Sequence, residues 1–224
     1  MKDSLPKCEN MNLETISRQD RITSKEFAYL IGVYLTDASI TNCNFNLQVI
    51  DQDFTERVLG YWKLFIPNTK SSLRERSDKK GWNKQKRYVI KIGIGKYADF
   101  LRKITSEKHC IPLQIINSEP FIQKWFIAGI MDGDGWISKT KRKNSPQFQY
   151  RIGIGGIGNG WIYEFRELLI RLGVTCLKIE RFLTKKGTPF CRFNVKPISF
   201  FKAKLFFTLK RKVERCSVAS TTAR

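Results

Sequence analysis

Two stretches of this chain end alike. Phe27-Ala-Tyr-Leu-Ile-Gly-Val-Tyr-Leu-Thr-Asp37 and Trp125-Phe-Ile-Ala-Gly-Ile-Met-Asp-Gly-Asp134 are apolar runs of helical length, each stopping on an aspartate. Asp134 follows Asp37 by 97 positions in a chain of 224. What comes after each run also matches in order. Behind Asp37 lie a polar–apolar alternation at 39–50, an amphipathic stretch at 53–65, strand-like runs at 70–77 and 87–94, and a helical run from Lys96. Behind Asp134 lie an alternation at 136–155, an amphipathic stretch at 160–172, strand-like runs at 175–184 and 188–195, and a helical run from Pro197. Internal repetition constrains a fold before any single element does. Each half reads αββαββα, so the expected class is α+β, two pseudo-symmetric halves with antiparallel sheets. The expected divisions are an N-terminal extension (1–22), a first half (23–110), a second half (111–216) and a disordered tail (217–224). The polar, Pro-containing segment 105–118 links the halves.

Local signals support these elements. Thr23 and Glu26 make a T-x-x-E capping box before the first apolar run. Ser118 is the expected N-cap of the second, with Pro120 in the first turn, where its missing N–H does little harm. Asn42, Asn44, Asn46 and Gln48 alternate with Cys43, Phe45, Leu47 and Val49, while Gln147, Gln149 and Arg151 alternate with Phe148, Tyr150 and Ile152. Period two means one sheet face packs under helices and the other carries amides and cations.

Small residues recur four apart on both motif helices, Gly32 with Thr36 and Gly129 with Gly133, each stripe ending one residue before its aspartate. Such stripes let helix backbones approach closely. If the halves pair through them, Asp37 and Asp134 arrive side by side. Two like charges at close range raise each other's pKa unless a cation separates them, and carboxylate oxygens favour a hard ion such as Mg2+. Metal-assisted hydrolysis of a phosphodiester follows.

Composition narrows the partner. The chain has 41 Lys plus Arg against 20 Asp plus Glu, a net charge of +21, yet 42% of it is apolar, as in a folded protein. That surplus calls for a polyanion, nucleic acid before a membrane surface. No apolar run approaches the roughly 18 residues of a membrane-spanning helix, and the N-terminus lacks a signal-peptide core, so an intracellular location is expected. Six cysteines without a CxxC pair and a single histidine, His109, argue against structural zinc, histidine-based nucleases and Ser-His-Asp chemistry. The cysteines are expected as reduced thiols.

Leu30-Ile-Gly-Val-Tyr-Leu-Thr-Asp-Ala38 and Ile127-Ala-Gly-Ile-Met-Asp-Gly-Asp-Gly135 resemble the two motifs of the LAGLIDADG homing endonucleases, in the form that fuses both in one chain. The first copy departs at Leu35, where the family has Asp, and at Ala38, where it has Gly; neither change touches the penultimate acid. The resemblance implies a saddle-shaped DNA-binding surface with the motif helices at the interface, and Asp37 and Asp134 as catalytic metal ligands. It also implies the carbonyls of Thr36 and Gly133 as further ligands, and a basic residue after the last strand of each half, placed at Lys108 and Lys210. Gln52 is the candidate for a supporting polar residue after the second strand of the first half. Gly156-Ile157-Gly158 stands there in the second, so that role is asymmetric. The implied reaction is Mg2+-dependent double-strand DNA cleavage at a long target, leaving short 3′ overhangs. Mn2+ is an expected substitute, and Ca2+ an ion that binds without supporting cleavage. The implied state is a monomer without membrane contact. The alternative function for this fold is an RNA-binding maturase acting on host intron RNA; a regulator built on an inactive nuclease core is the third reading.

Basic runs at 79–87 and 139–143 fall at expected hairpin tips. The expected DNA contacts in the first half are Asn42, Asn44, Asn46, Gln48, Arg74, Arg76, Lys80, Lys84, Arg87 and Lys91. Those in the second are Lys139, Lys141, Arg142, Gln147, Gln149, Arg151, Lys178, Arg192 and Asn194. Amides suit adenine, and arginines suit guanine or phosphate. One decoy is present: Gly153-Ile-Gly155-Gly-Ile-Gly158 is a literal GxGxxG, with Glu180 at a distance suited to a ribose-binding acid. Its strand is expected to pair as an antiparallel hairpin with 136–143, whereas a dinucleotide site needs a parallel βαβ unit. The glycines are instead expected to flatten a turn.

Overall fold

The structure, a computed structural model, describes residues 24–77, 86–141, 148–157 and 160–221. The extension 1–22 therefore lies outside the described residues, as do Lys80, Lys84, Arg142 and Gln147. The first apolar run is helix α1 (Lys25–Leu35). Its N-cap is Ser24, whose hydroxyl accepts from the Phe27 N–H at 3.1 Å. The cap is therefore one residue later than the Thr23 box, and Thr23 itself is outside the described residues.

Strands β1 (Ser39–Thr41) and β2 (Asn44–Val49) follow, joined by a two-residue turn in which Asn42 and Cys43 both have positive φ, 45° and 58°. Two left-handed residues match the right-handed twist of a tight hairpin. Asn42, expected on a strand, thus belongs to the turn. Helix α2 (Gln52–Phe65), strands β3 (Ser71–Ser77) and β4 (Lys86–Gly93), and helix α3 (Tyr97–Ile104) complete the first αββαββα series.

A single helical turn, α4 (Leu113–Ile116), sits within the linking segment. The second series is α5 (Pro120–Gly133), β5 (Gly135–Lys141), β6 (Phe148–Ile157), α6 (Trp161–Arg171), β7 (Glu180–Leu183), β8 (Pro189–Val195) and α7 (Pro197–Lys202), followed by α8 (Lys210–Thr221). The N-cap of α5 is Glu119, not Ser118. The Ser118 hydroxyl instead donates to the Ile115 carbonyl at 2.8 Å and closes α4. Residues 175–179 form no strand beyond one bridge between Cys176 and Val195. The helix α8 continues to Thr221, where a disordered tail was expected from 217; no Gly or Pro interrupts it between 210 and 221.

The two sheets repeat one topology. Their strand orders are β1-β2-β4-β3 and β5-β6-β8-β7, antiparallel throughout. One face of each is buried: Phe45, Leu47, Ile90 and Ile92 pack with Trp62 and Phe54 in the first half, and Ile152, Ile154 and Phe193 with Trp161 and Phe165 in the second.

The antiparallel pairing of β6 on both sides removes the dinucleotide reading of its glycines. They do not flatten a turn either, at least at 153–156. A Cβ on Gly153 would meet the Trp136 ring at 2.4 Å, and one on Gly155 the Phe190 ring at 2.8 Å, so these glycines seat aromatic side chains against the strand. Cys43, Cys176, Cys191 and Cys216 are free thiols. Cys110 is disulfide-bonded, contrary to expectation, and a sequence lacking paired cysteine spacing carries no sign of that. No described helix is long and apolar enough to cross a membrane.

Candidate active site

The seam between α1 and α5 builds the site. A Cβ on Gly32 would lie 2.4 Å from the Phe126 carbonyl oxygen, and one on Gly129 2.2 Å from that of Tyr29. Only a hydrogen fits at either place, so both backbones run in direct contact. The stripes continue to Thr36 and Gly133, where a Cβ on Gly133 would be 2.1 Å from Thr36 Oγ1 and 3.5 Å from Asp37 Oδ2. Thr36 turns its hydroxyl back onto the carbonyls of Gly32 (3.1 Å) and Val33 (3.2 Å). The seam therefore delivers Asp37, just past the end of α1, against the end of α5, where Asp134 is the C-cap.

Electrostatics register the pairing. Burial and then the Asp37 charge push the Asp134 carboxyl up to about 7, opposed by Lys108 and Lys212. The Asp37 carboxyl is also raised, first by the protein packed around it; Lys212, Lys108 and Arg211 pull it down and Asp51 pushes it up.

Each aspartate has a lysine at its back. Lys108 Nζ donates to the Thr36 carbonyl at 3.2 Å and to that of Ala38, with the Tyr34 ring 5.1 Å away. It stands in a turn after α3 where Ser106, Glu107 and Lys108 all have positive φ, 43°, 53° and 73°, a strained run for non-glycine residues. In the second half the corresponding group is Lys212. Its Nζ donates to the carbonyls of Met131 (2.7 Å), Asp132 (2.6 Å), Gly133 (3.3 Å) and Gly135 (2.7 Å). A helix C-terminus leaves such carbonyls unpaired and favours a cation there. Burial lowers the Lys212 pKa to about 8, with the Asp132 charge opposing, and burial lowers that of Lys108 too.

Lys210, placed here from the sequence, is exposed, and its backbone N–H donates to Asp53 Oδ2 at 3.0 Å. It opens α8, and only the residue two positions on reaches the carbonyls of α5. Gln52 is also exposed; its amide is engaged by Glu56 at 2.7 Å.

Asp132 was not singled out in the sequence, although it is the motif acid that the first copy replaces with Leu35. It is 1% exposed and accepts from Tyr29 Oη (2.8 Å), the backbone N–H groups of Thr208 (3.0 Å) and Leu209 (3.3 Å), and the Thr208 hydroxyl. Arg57 of α2 also donates to Thr208. This network ties α1, α2 and α5 to the segment that leads into α8, and so positions Lys212. Arg211 pairs with Asp51 at 2.7 Å on the rim. Nothing local marks these partners, which lie 76 to 179 positions apart. Among the described residues no three His, Cys, Asp or Glu gather as a metal cluster.

The open sheet faces hold most of the other expected residues. Cross-strand register sets Asn46 beside Lys91, Gln48 beside Val89 and Arg74, Asn44 beside Gly93, and Arg76 beside Arg87, all on the face opposite Phe45 and Ile90. In the second sheet Arg151 pairs with Ser138, Gln149 with Thr140, and Asn194 with Gly153, on the face opposite Ile152 and Phe193. Arg192 shares that face, donating to Glu180 at 2.7 Å and lying 5.2 Å over the Phe182 ring. Lys139 and Lys141 do not join them. Their register puts both on the opposite face, Lys139 over the Tyr150 ring at 5.8 Å. Lys178 is exposed outside any strand.

No protein-family model and no curated protein matches the sequence. Solved structures do match. I-GzeII, a LAGLIDADG homing endonuclease in complex with its DNA target, aligns with a TM-score of 0.55 over 88% of this chain and 89% of its own, at 12% identity. The homing endonuclease I-WcaI bound to its DNA recognition sequence gives 0.53 over 85% and 87%, at 16% identity. Full-length DUF199/WhiA from Thermatoga maritima gives 0.53 at 13% identity, over 90% of this chain, which spans 62% of that protein's length. The chain has the α+β fold of the LAGLIDADG homing endonucleases, with both motif helices carried in one polypeptide.

Proposed function

We propose that the protein is a site-specific double-strand DNA endonuclease, acting as a monomer, that hydrolyses phosphodiesters with a divalent metal ion and leaves short 3′ overhangs. One observation carries the reading: Asp37 and Asp134 meet at the ends of two closely packed helices, each backed by a lysine, half-buried Lys108 and buried Lys212. The charge of +21 and the polar sheet faces support duplex DNA as partner, and the DNA-bound structures of I-GzeII and I-WcaI support extending that partner to this chain.

The residues present fit a hard cation. Asp37 and Asp134 would hold it, with the Thr36 and Gly133 carbonyls as further oxygens. The Asp134 carboxyl is raised first by burial and then by the Asp37 charge, and a cation between the two would oppose both effects. An ion held by these two carboxylates would keep waters and substrate oxygens among its ligands, as Mg2+ prefers. When bound, the ion supplies an activated water and stabilises charge on the phosphate. Mn2+ substitutes in this reading, and Ca2+ binds without supporting cleavage. Lys108 and Lys212 hold the loops that carry the aspartates and keep both carboxyls closer to their charged forms.

The test is selection from a randomised duplex library in Mg2+ and, separately, in Ca2+. A cut consensus in Mg2+ and a bound, uncut one in Ca2+ support the proposal. The Asp37→Asn and Asp134→Asn variants should bind that consensus and not cut both strands; double-strand cleavage by the doubly substituted protein would overturn the mechanism. The charge of +21 and the polar sheet faces would equally serve a second reading, nucleic-acid binding without cleavage. Selective binding of duplex DNA or of host intron RNA, with no cut in Mg2+ or Mn2+, would choose it.

A further inference from the structure

The two open sheet faces are chemically different, although they occupy matched positions in the duplication. Across the first sheet, register aligns Ser39, Asn46, Lys91 and Ser72 in one row and Gln48, Val89 and Arg74 in the next, a surface of amides and cations. The corresponding rows of the second sheet are Trp136, Gly153 and Asn194, then Gly155, Arg192 and Glu180, then Ile157, Phe190 and Phe182. Gly153 and Gly155 have no side chain to present, and their places are taken by the rings of Trp136 and Phe190. Phe182 packs on Phe190 with centroids 5.1 Å apart, and Arg192 is drawn to Glu180. Ile157 is 59% exposed and Phe182 42%. The result is an open apolar patch on the face whose counterpart is polar.

A sheet in the major groove meets base edges that offer amide-reading donors and acceptors, and also the C5-methyl group of thymine, which is read by apolar contact. We infer that the two halves read DNA by different chemistry: the first sheet through hydrogen bonds to base edges, the second through apolar contact of Phe190, Phe182 and Ile157 with thymine methyl groups. The occupant of the patch is therefore a thymine-bearing half-site. This inference rests on the DNA-binding reading above. It is favoured over a protein partner because the patch lies on the same face as Arg151, Arg192 and Asn194 and in the position where the first half carries Arg76 and Arg87.

Replacing thymine by deoxyuridine removes the methyl and leaves pairing intact. In the selected duplex the half whose base preferences change with Asn46→Ala is assigned to the first sheet. Thymines are then exchanged for deoxyuridine in one half at a time, and Kd is measured with the full chain in EDTA. Exchange in the second half should weaken binding about fourfold for each methyl contacted, the worth of one buried carbon, and exchange in the first half should change it much less. The exposed substitutions Ile157→Ser and Phe182→Ser should remove that sensitivity without unfolding the protein. Equal sensitivity in both halves, or none in the second, overturns the inference while leaving DNA binding intact. Failure to select any duplex overturns the DNA reading along with it.

Discussion

The ammonium groups of Lys108 and Lys212 each close a helix end and face an aspartate, so their structural and electrostatic effects come from the same contacts. Lys212→Ala leaves the Met131, Asp132 and Gly135 carbonyls without their donor and removes a positive charge beside Asp37 and Asp134. Cleavage in single-turnover assays should fall about 100-fold or more, the usual effect of deleting one such stabilising group. Lys210→Ala, an exposed change, should stay within about twofold, and thermal unfolding of both variants checks that the fold survives. The carboxyls make a second prediction. Asp134 is raised from 3.8 to about 7 in the folded protein, so the native state binds its proton more tightly than the unfolded chain does. The contribution of this carboxyl to stability is then fully present below about pH 4 and is lost as pH rises through about 7. In metal-free protein, Asp134→Asn should raise the Tm more at pH 8 than at pH 5, and added Mg2+ should narrow that difference; an equal effect at both pH values would contradict it.

At the scale of elements, backbone contact and helix propensity give opposite signs to one kind of substitution. Gly129→Ala drives a methyl into the Tyr29 carbonyl across the seam, and neither partner is a flexible side chain. It should cost about 3 kcal/mol in urea unfolding, at the upper end for overpacking. Gly60→Ala in α2, with nothing within 4 Å, should stabilise by about 0.5–1 kcal/mol. The helices and most strands were legible because burial imposes a period on the chain, as where Phe45 and Leu47 alternate with Asn44, Asn46 and Gln48. The misplacements fall where that period stops. Thr23 and Ser24 both offer a capping hydroxyl, and Asn42 continues an alternation that the hairpin turn breaks. Lys139 and Lys141 were assigned by charge, whereas the register that sets their face depends on pairing with Tyr150 and Phe148.

In the whole molecule, symmetry is built into the backbone and broken by side chains. Two matched sheets flank one helix seam, yet one open face is polar and the other partly aromatic, and only the second motif carries Asp132 and its link to Thr208. The amino-acid sequence by itself determined the duplication, the α+β class, the seam of small residues and the meeting of Asp37 with Asp134. All of these follow from periodicity and from residue sizes that recur within a few turns of chain. The tertiary structure decided which lysine backs the second aspartate, what Asp132 holds, and which sheet residues share a face. Those depend on strand register and on contacts between segments 70 or more positions apart. A shift of one residue in a strand reverses its face, and two residues in α8 separate a solvent-exposed lysine from one buried among four carbonyls.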